Sequence, residues 1–115
     1  MRHESAKYLY DAQGAAARVI EFTGGCDFAR YAADALRRSA VERQLEIIGE
    51  ALAQLARRDP ALAARISEHA RIIAFRNTLI QGSAEVDSRI VWDVVTTKLG
   101  TLRAEVQALL MELGP

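Results

Sequence analysis

The chain has almost no proline: only Pro60 and Pro115 occur among its 115 residues. Alternation of β-branched with polar residues is nearly absent too, so the chain reads as helices joined by short turns, not as a sheet. Its single cysteine, Cys26, rules out an internal disulfide and fits a reducing compartment; as a side chain it reads as a small apolar filler. No apolar run approaches the ~20 residues that cross a bilayer. The amino-terminal "MRHESAKYLYDAQ" also lacks the greasy segment of a signal peptide. A soluble, cytoplasmic protein with no membrane partner is therefore expected. There is no excess of charge, since fifteen basic and fifteen acidic side chains cancel. That excludes a general electrostatic field for nucleic acid or acidic lipid, so any RNA contact must come from a local cluster. No group of His, Cys, Asp or Glu has metal-ligand spacing and no glycine-rich phosphate loop occurs, so neither a metal nor a cofactor is expected.

Half the residues are apolar, and the length suits one core, so residues 1–115 are expected to form a single domain. Arginine outnumbers lysine thirteen to two, a bias that a GC-rich genome produces without any function. The first helix should run from about Glu4 to Phe22, with Tyr8, Ala12, Ala15, Val19 and Phe22 on one face and "TGGCD" ending it. A second helical run should span about Phe28 to Arg58, with a break near Ala33. Its stripe, Val41, Leu45, Ile48, Leu52 and Leu55, has the spacing of antiparallel or dimeric helix packing. Away from that stripe, Glu42, Glu46 and Glu50 form a like-charged ladder that calls either for nearby cations, from Arg38, Arg43 or another helix, or for open solvent.

A third run should occupy roughly Pro60 to Ile80, in one or two pieces, with Pro60 in its first turn and Gly82 ending it. The last helix should start at Asp87 or Ser88 and reach about Leu113, interrupted at Gly100 by a close helix approach or a kink. Val91, Val95, Leu102, Val106, Leu109 and Leu113 line it, and Trp92 beside them reads as a core or interface anchor. The fold expected is all-α, an up-and-down bundle of four to five helices.

Chemistry concentrates in "IIAFRNTLIQG", Ile72 to Gly82. At 100° per residue Arg76 lies near the centre of an apolar arc with Ile72, Phe75, Leu79 and Ile80. A buried guanidinium there must meet a carboxylate, such as the Glu42 ladder, a subunit boundary, or a cleft holding phosphate. Asn77 and Gln81 share another flank. Arg76 and Gln81 diverge by about 140° on a regular helix. They converge on one ligand only if Gly82 lets the last turn unwind or a second subunit supplies one of them, which points to a homodimer.

The order "AVERQLEIIGEALAQL", then "IIAFRNTLIQGSAEVDSRIVWDVV", resembles the HEPN family of small helical proteins, in particular the HepT-like toxins encoded beside a minimal nucleotidyltransferase antitoxin. The resemblance spans nearly the whole chain. It implies a HEPN-like homodimeric bundle and a metal-independent RNA endonuclease within a type VII-like toxin–antitoxin system. Family members carry a signature of arginine, a polar residue, three further residues, histidine, one residue, then tyrosine, with two copies facing each other across the dimer cleft. The resemblance gives the arginine the scissile phosphate and the histidine general acid–base work in attack by the RNA 2′-hydroxyl. In some relatives the nucleotidyltransferase partner adenylates the tyrosine.

Arg76 and Asn77 match that signature, whereas Gln81 stands at the histidine position and Ser83 at the tyrosine position. Glutamine has no proton that titrates near neutral pH, and losing general acid–base catalysis typically costs ~10² to 10⁴ in rate. Ser83 offers a hydroxyl on a much shorter arm than the modification geometry calls for. The other imidazoles are His3 and His69, the latter two turns before Arg76 and about 10 Å away along the axis. Two functions are implied: a ribonuclease toxin subunit impaired at Gln81 and Ser83, or a noncatalytic helical dimer that binds the nucleotidyltransferase as an adaptor or substrate-presenting subunit.

Overall fold

The computed structural model describes residues 2–81 and 87–114, and the described residues form seven helices and no strand. These are α1 (Arg2–Thr23), α2 (Phe28–Ala33), α3 (Ala35–Arg58), α4 (Pro60–Ala63), α5 (His69–Ile80), α6 (Ser88–Thr97) and α7 (Leu99–Leu113). The short elements fall within longer runs: Asp34 alone separates α2 from α3 and Lys98 alone separates α6 from α7, while turns over residues 64–68 join α4 to α5. The bundle therefore has four helical runs, as expected, with three of them broken.

Aspartates write most of the breaks. Asp27 caps α2 by accepting from the Arg30 amide at 2.8 Å, and Asp87 caps α6 by accepting from the Arg89 amide at 2.8 Å. Asp34 and Asp59 work in both directions. The Asp34 N–H donates to the Tyr31 carbonyl at the end of α2, while its side chain accepts from the Arg37 amide at the start of α3. The Asp59 N–H donates to the Leu55 carbonyl, and its carboxylate accepts from the Leu62 amide, with Pro60 in the first turn of α4. A short side-chain oxygen satisfies amides that a helix start leaves without partners, so each helix begins where its aspartate stands. Gly25, at φ 71°, completes the turn after α1.

The expected interruption of the last run is present but displaced. It falls at Lys98, which ends α6 and precedes α7, and Gly100 lies within the first turn of α7. A Cβ on Gly100 would meet nothing within 4 Å, so no close approach of helices occurs there. Gly82, expected to end the third run, lies outside the described residues.

α1 and α3 run antiparallel. Glu4 and Ser5 of α1 bond to Arg58 and Asp59 at the end of α3, and Arg18, four turns on, donates to Gln44 at 3.2 Å. Between these ends Leu9, Ala12, Ala15, Ala16 and Val19 are buried against Val41, Leu45, Ile48, Leu52 and Leu55. The alanines bring the two backbones together, and the larger α3 side chains fill the space beyond. Tyr8 and Phe22, expected on the inner face of α1, are half-buried at its margin. Leu99, Leu102, Val106, Leu109 and Leu110 of α7 complete the core. Trp92 of α6 packs on Tyr31 and Phe28 of α2, with ring centroids 5.2 and 6.4 Å apart, and so joins two short helices that have little core of their own.

α3 and α5 approach closely at Gly49. A Cβ built there would lie 2.2 Å from the Arg76 Cβ and 2.8 Å from its Cγ. No carbon pair tolerates that separation, so the α5 backbone sits where it does because residue 49 has no side chain. Among the described residues no helix is long and apolar enough to cross a membrane.

Gly49 and Gly100 should respond oppositely to alanine. Gly49→Ala overpacks the crossing and should lower unfolding free energy by roughly 1–3 kcal/mol. Gly100→Ala should raise it by about 0.5–1 kcal/mol through helix propensity alone. Urea denaturation of both variants checks this, and equal shifts of the same sign would contradict the crossing geometry.

Candidate functional site

α5 is fixed along its length before its functional side chains are considered. Its first turn has no side-chain cap. Instead Glu68, the preceding residue, takes a left-handed backbone (φ 57°) and holds Lys98 at 2.8 Å and Arg71 at 3.0 Å. The Lys98 hydrogen bond, chiefly, holds the Glu68 carboxyl below the usual carboxylate range. The α4–α5 junction is thereby tied to the α6–α7 break. Further along, Gly49 receives the stem of Arg76, and Leu79 is buried in the core.

The apolar arc expected on α5 is only partly covered. Leu79 is buried, Ile72 and Phe75 are half-buried, and Ile80 in the last turn is exposed. Arg76 is half-buried at the centre of the arc, as its spacing predicts. Its Nε is fully enclosed and has no hydrogen-bond partner among the described residues. Its Nη1 donates to Asn77 Oδ1 at 2.8 Å. A buried donor without an acceptor costs roughly 1–3 kcal/mol, so the resting fold holds Arg76 at a disadvantage.

The ion pair with the glutamate ladder does not form. No carboxylate pairs with Arg76 among the described residues. Glu46 is engaged by Arg43 of its own helix at 3.3 Å. Glu42 and Glu46 are half-buried and only Glu50 stands in open solvent, so the ladder is not a uniformly solvated face. Burial, chiefly, raises the Glu42 carboxyl above its ordinary value; Arg38 offsets part of this and Glu46 adds to it.

Asn77 and Gln81 stand one turn apart on the same flank, and both are exposed. α5 stays regular up to Gln81, whose N–H donates to the Asn77 carbonyl at 3.0 Å with φ −62° and ψ −13°. The backbone therefore does not unwind within the described residues, and the Cβ directions of Arg76 and Gln81 stay about 140° apart. The Arg76 side chain spans part of that gap, because its bond to Asn77 turns the guanidinium edge toward the flank that carries Gln81. Asn77 is the bridge between the two. Ser83, the other motif position, lies outside the described residues.

His69 opens α5, and the unbroken helix between it and Arg76 keeps the two about 10 Å apart along the axis. His3 opens the first turn of α1. Neither imidazole joins the Arg76 edge.

Two features escaped the sequence reading. Gly49 is one, although a glycine in the middle of an otherwise unbroken stripe is a signal of close approach. The other is Tyr31, fully buried with no partner for its hydroxyl among the described residues; burial, chiefly, and then the Glu42 charge push its phenol well above the usual range. No spacing in the sequence marks it. Among the described residues no group of three or more His, Cys, Asp or Glu could hold a metal ion.

These elements define an all-helical HEPN-like bundle with an unpaired arginine and an asparagine on one helix edge. Residues 12–109 match the family described as ribonuclease HepT-like, and the chain belongs to that family. A curated protein of Methanocaldococcus jannaschii named "Putative RNase" is 31% identical over 100 residues, which cover 87% of this chain and 91% of that relative. No solved structure matches the chain.

Two measurements test the electrostatics. Arg76→Met keeps the packed stem and deletes the orphaned Nε, so it should raise unfolding free energy by about 1 kcal/mol, read as a higher urea midpoint. An Arg76→Met variant less stable than wild type would mean that the guanidinium contributes to the resting fold. For Glu42 the folded carboxyl binds its proton more tightly than the unfolded one. Stability is therefore lost as pH rises from the unfolded toward the folded value and stays lost above it. Glu42→Gln should melt higher than wild type at pH 7, and the difference should close near pH 4. A constant difference between those pH values would contradict this.

Proposed function

We propose that this chain is an RNA-binding HepT-like toxin subunit of a type VII-like toxin–antitoxin pair, with weak endonuclease activity. In this reading it works as a homodimer in which two Arg76–Asn77–Gln81 edges face each other across a shared cleft, and its partner is a minimal nucleotidyltransferase antitoxin. The observation that carries the proposal is the state of Arg76: a guanidinium oriented by Asn77 and, among the described residues, paired with no carboxylate. A phosphate oxygen at the outer nitrogens of the guanidinium supplies the negative charge that this arrangement lacks.

In the proposed reaction an RNA 2′-hydroxyl attacks the adjacent phosphorus. The 2′-hydroxyl gives its proton to water, the P–O5′ bond breaks as a 2′,3′-cyclic phosphate forms, and the departing 5′ oxygen takes a proton from water. Arg76 stabilises the charge that develops on the phosphate, and the Asn77 amide holds the guanidinium and has its own N–H groups for the same oxygens. Gln81 can hydrogen-bond the 2′-hydroxyl or the leaving oxygen but cannot take or give the proton, so cleavage proceeds without general acid–base help. Ser83 gives the partner enzyme a shorter hydroxyl arm than tyrosine would. Reduced toxicity and reduced need for silencing then go together.

Restoring the imidazole tests this. Gln81→His, alone or with Ser83→Tyr, should raise the cleavage rate of a single-stranded RNA by ~10² to 10⁴ over wild type, in the presence of a chelator, and should arrest growth of a host cell. A folded, dimeric Gln81→His protein that binds RNA but neither cuts it nor arrests growth would leave the noncatalytic adaptor as the better reading.

A further inference from the structure

We infer that Gly49 is a positioning residue for the phosphate-binding arginine: by having no side chain it lets α3 grip the Arg76 stem and so aims the guanidinium. The inference rests on the RNA-binding reading of Arg76 proposed above. The contact is specific to this side chain. The atoms that a Cβ on residue 49 would strike are the Arg76 Cβ at 2.2 Å and Cγ at 2.8 Å, followed by the Ile72 carbonyl oxygen at 3.3 Å. None of these is the far end of a flexible chain. The Cβ is fixed by the α5 backbone and the carbonyl is backbone itself, so no rotamer change at Arg76 can make room. α5 would have to move away from α3 by about 1 Å or more to restore ordinary carbon contact distances.

The Arg76 side chain is thus held at two points. Its first two carbons lie against the α3 backbone at Gly49, and its Nη1 is bonded to Asn77 Oδ1. A side chain confined in this way loses little further freedom when a ligand binds. The position of Gly49 supports the same role. It is buried on α3 between Ile48 and Leu52, at the point that faces Arg76 and Ile72 of α5. The other glycines within core helices have no such neighbour: a Cβ on Gly14 would meet only the far end of Arg18 at 3.8 Å, and one on Gly100 nothing within 4 Å.

The test is a binding cycle in the wild-type Gln81 background, where cleavage is slow, read by fluorescence anisotropy of a labelled single-stranded RNA. Arg76→Ala should weaken binding and lower its salt slope by about one. Gly49→Ala, folded by circular dichroism and with an unchanged oligomeric state, should weaken binding about tenfold or more, in line with the effect of a 1 Å misplacement of a positioned group. In the Arg76→Ala background the same change at Gly49 should cost less than in wild type, because only the displacement of Asn77 is left to weaken binding. Wild-type affinity in folded Gly49→Ala overturns the inference, and so does a loss that adds in full to that of Arg76→Ala. Wild-type affinity in Arg76→Ala overturns the RNA reading itself, and the inference with it. If Gly49→Ala does not fold, Gly49→Ala/Arg76→Gly decides, since the second change removes both clashing carbons. Recovery of the fold supports the contact as the cause, and continued failure overturns it.

Discussion

The contact between the α3 backbone at Gly49 and the stem of Arg76 governs most of what the rest of the molecule does. It sets the distance between the two helices and therefore how deeply the last two turns of α5 sit in the bundle. That depth buries Leu79, half-covers Phe75, and leaves Asn77, Ile80 and Gln81 at the surface. It also explains how an arginine can occupy the middle of an apolar arc. Its aliphatic stem supplies the packing and its charged end runs out along the helix edge, the division of labour usual for long cationic side chains. The Glu68–Lys98 link at the other end of α5 keeps the helix from sliding along that contact.

A chain of zero formal charge can recognise a polyanion only through what it holds locally. The structure gives its carboxylates other work: four aspartates cap helices, Glu46 engages Arg43, and Glu68 takes Arg71 and Lys98. Arg76 stands outside that set of pairs. The local imbalance comes from how the acids are distributed, and no surplus of bases is needed.

Much of this was legible in the sequence. Helical periodicity located all four runs, and the α3 stripe proved buried at every expected position. The break near Ala33 was readable because Asp34 can cap in both directions. The misplaced interruption of the last run shows the limit of such reading: Gly100 is the conspicuous residue, yet the helix breaks at Lys98, whose side chain is claimed by Glu68 thirty residues away. Contacts of that range leave no periodic trace. The same holds at the site. The arc and the 140° divergence of Arg76 from Gln81 follow from residue spacing alone, whereas the bond from Arg76 to Asn77, the role of Gly49 and the orphaned Tyr31 hydroxyl depend on how the helices meet.

The aspartate caps carry a consequence for how the chain folds. Each cap is closed by a bond to an amide two or three residues away, so the ends of α2, α3, α4 and α6 are specified within a single turn of backbone. Such contacts involve almost no loop closure and can form while the rest of the chain is still a coil. α5 is the exception: it has no side-chain cap, and the residue before it is held by Lys98 thirty residues away. The α3–α5 crossing thus joins a helix whose start is written within one turn of backbone to one whose start depends on a distant part of the chain.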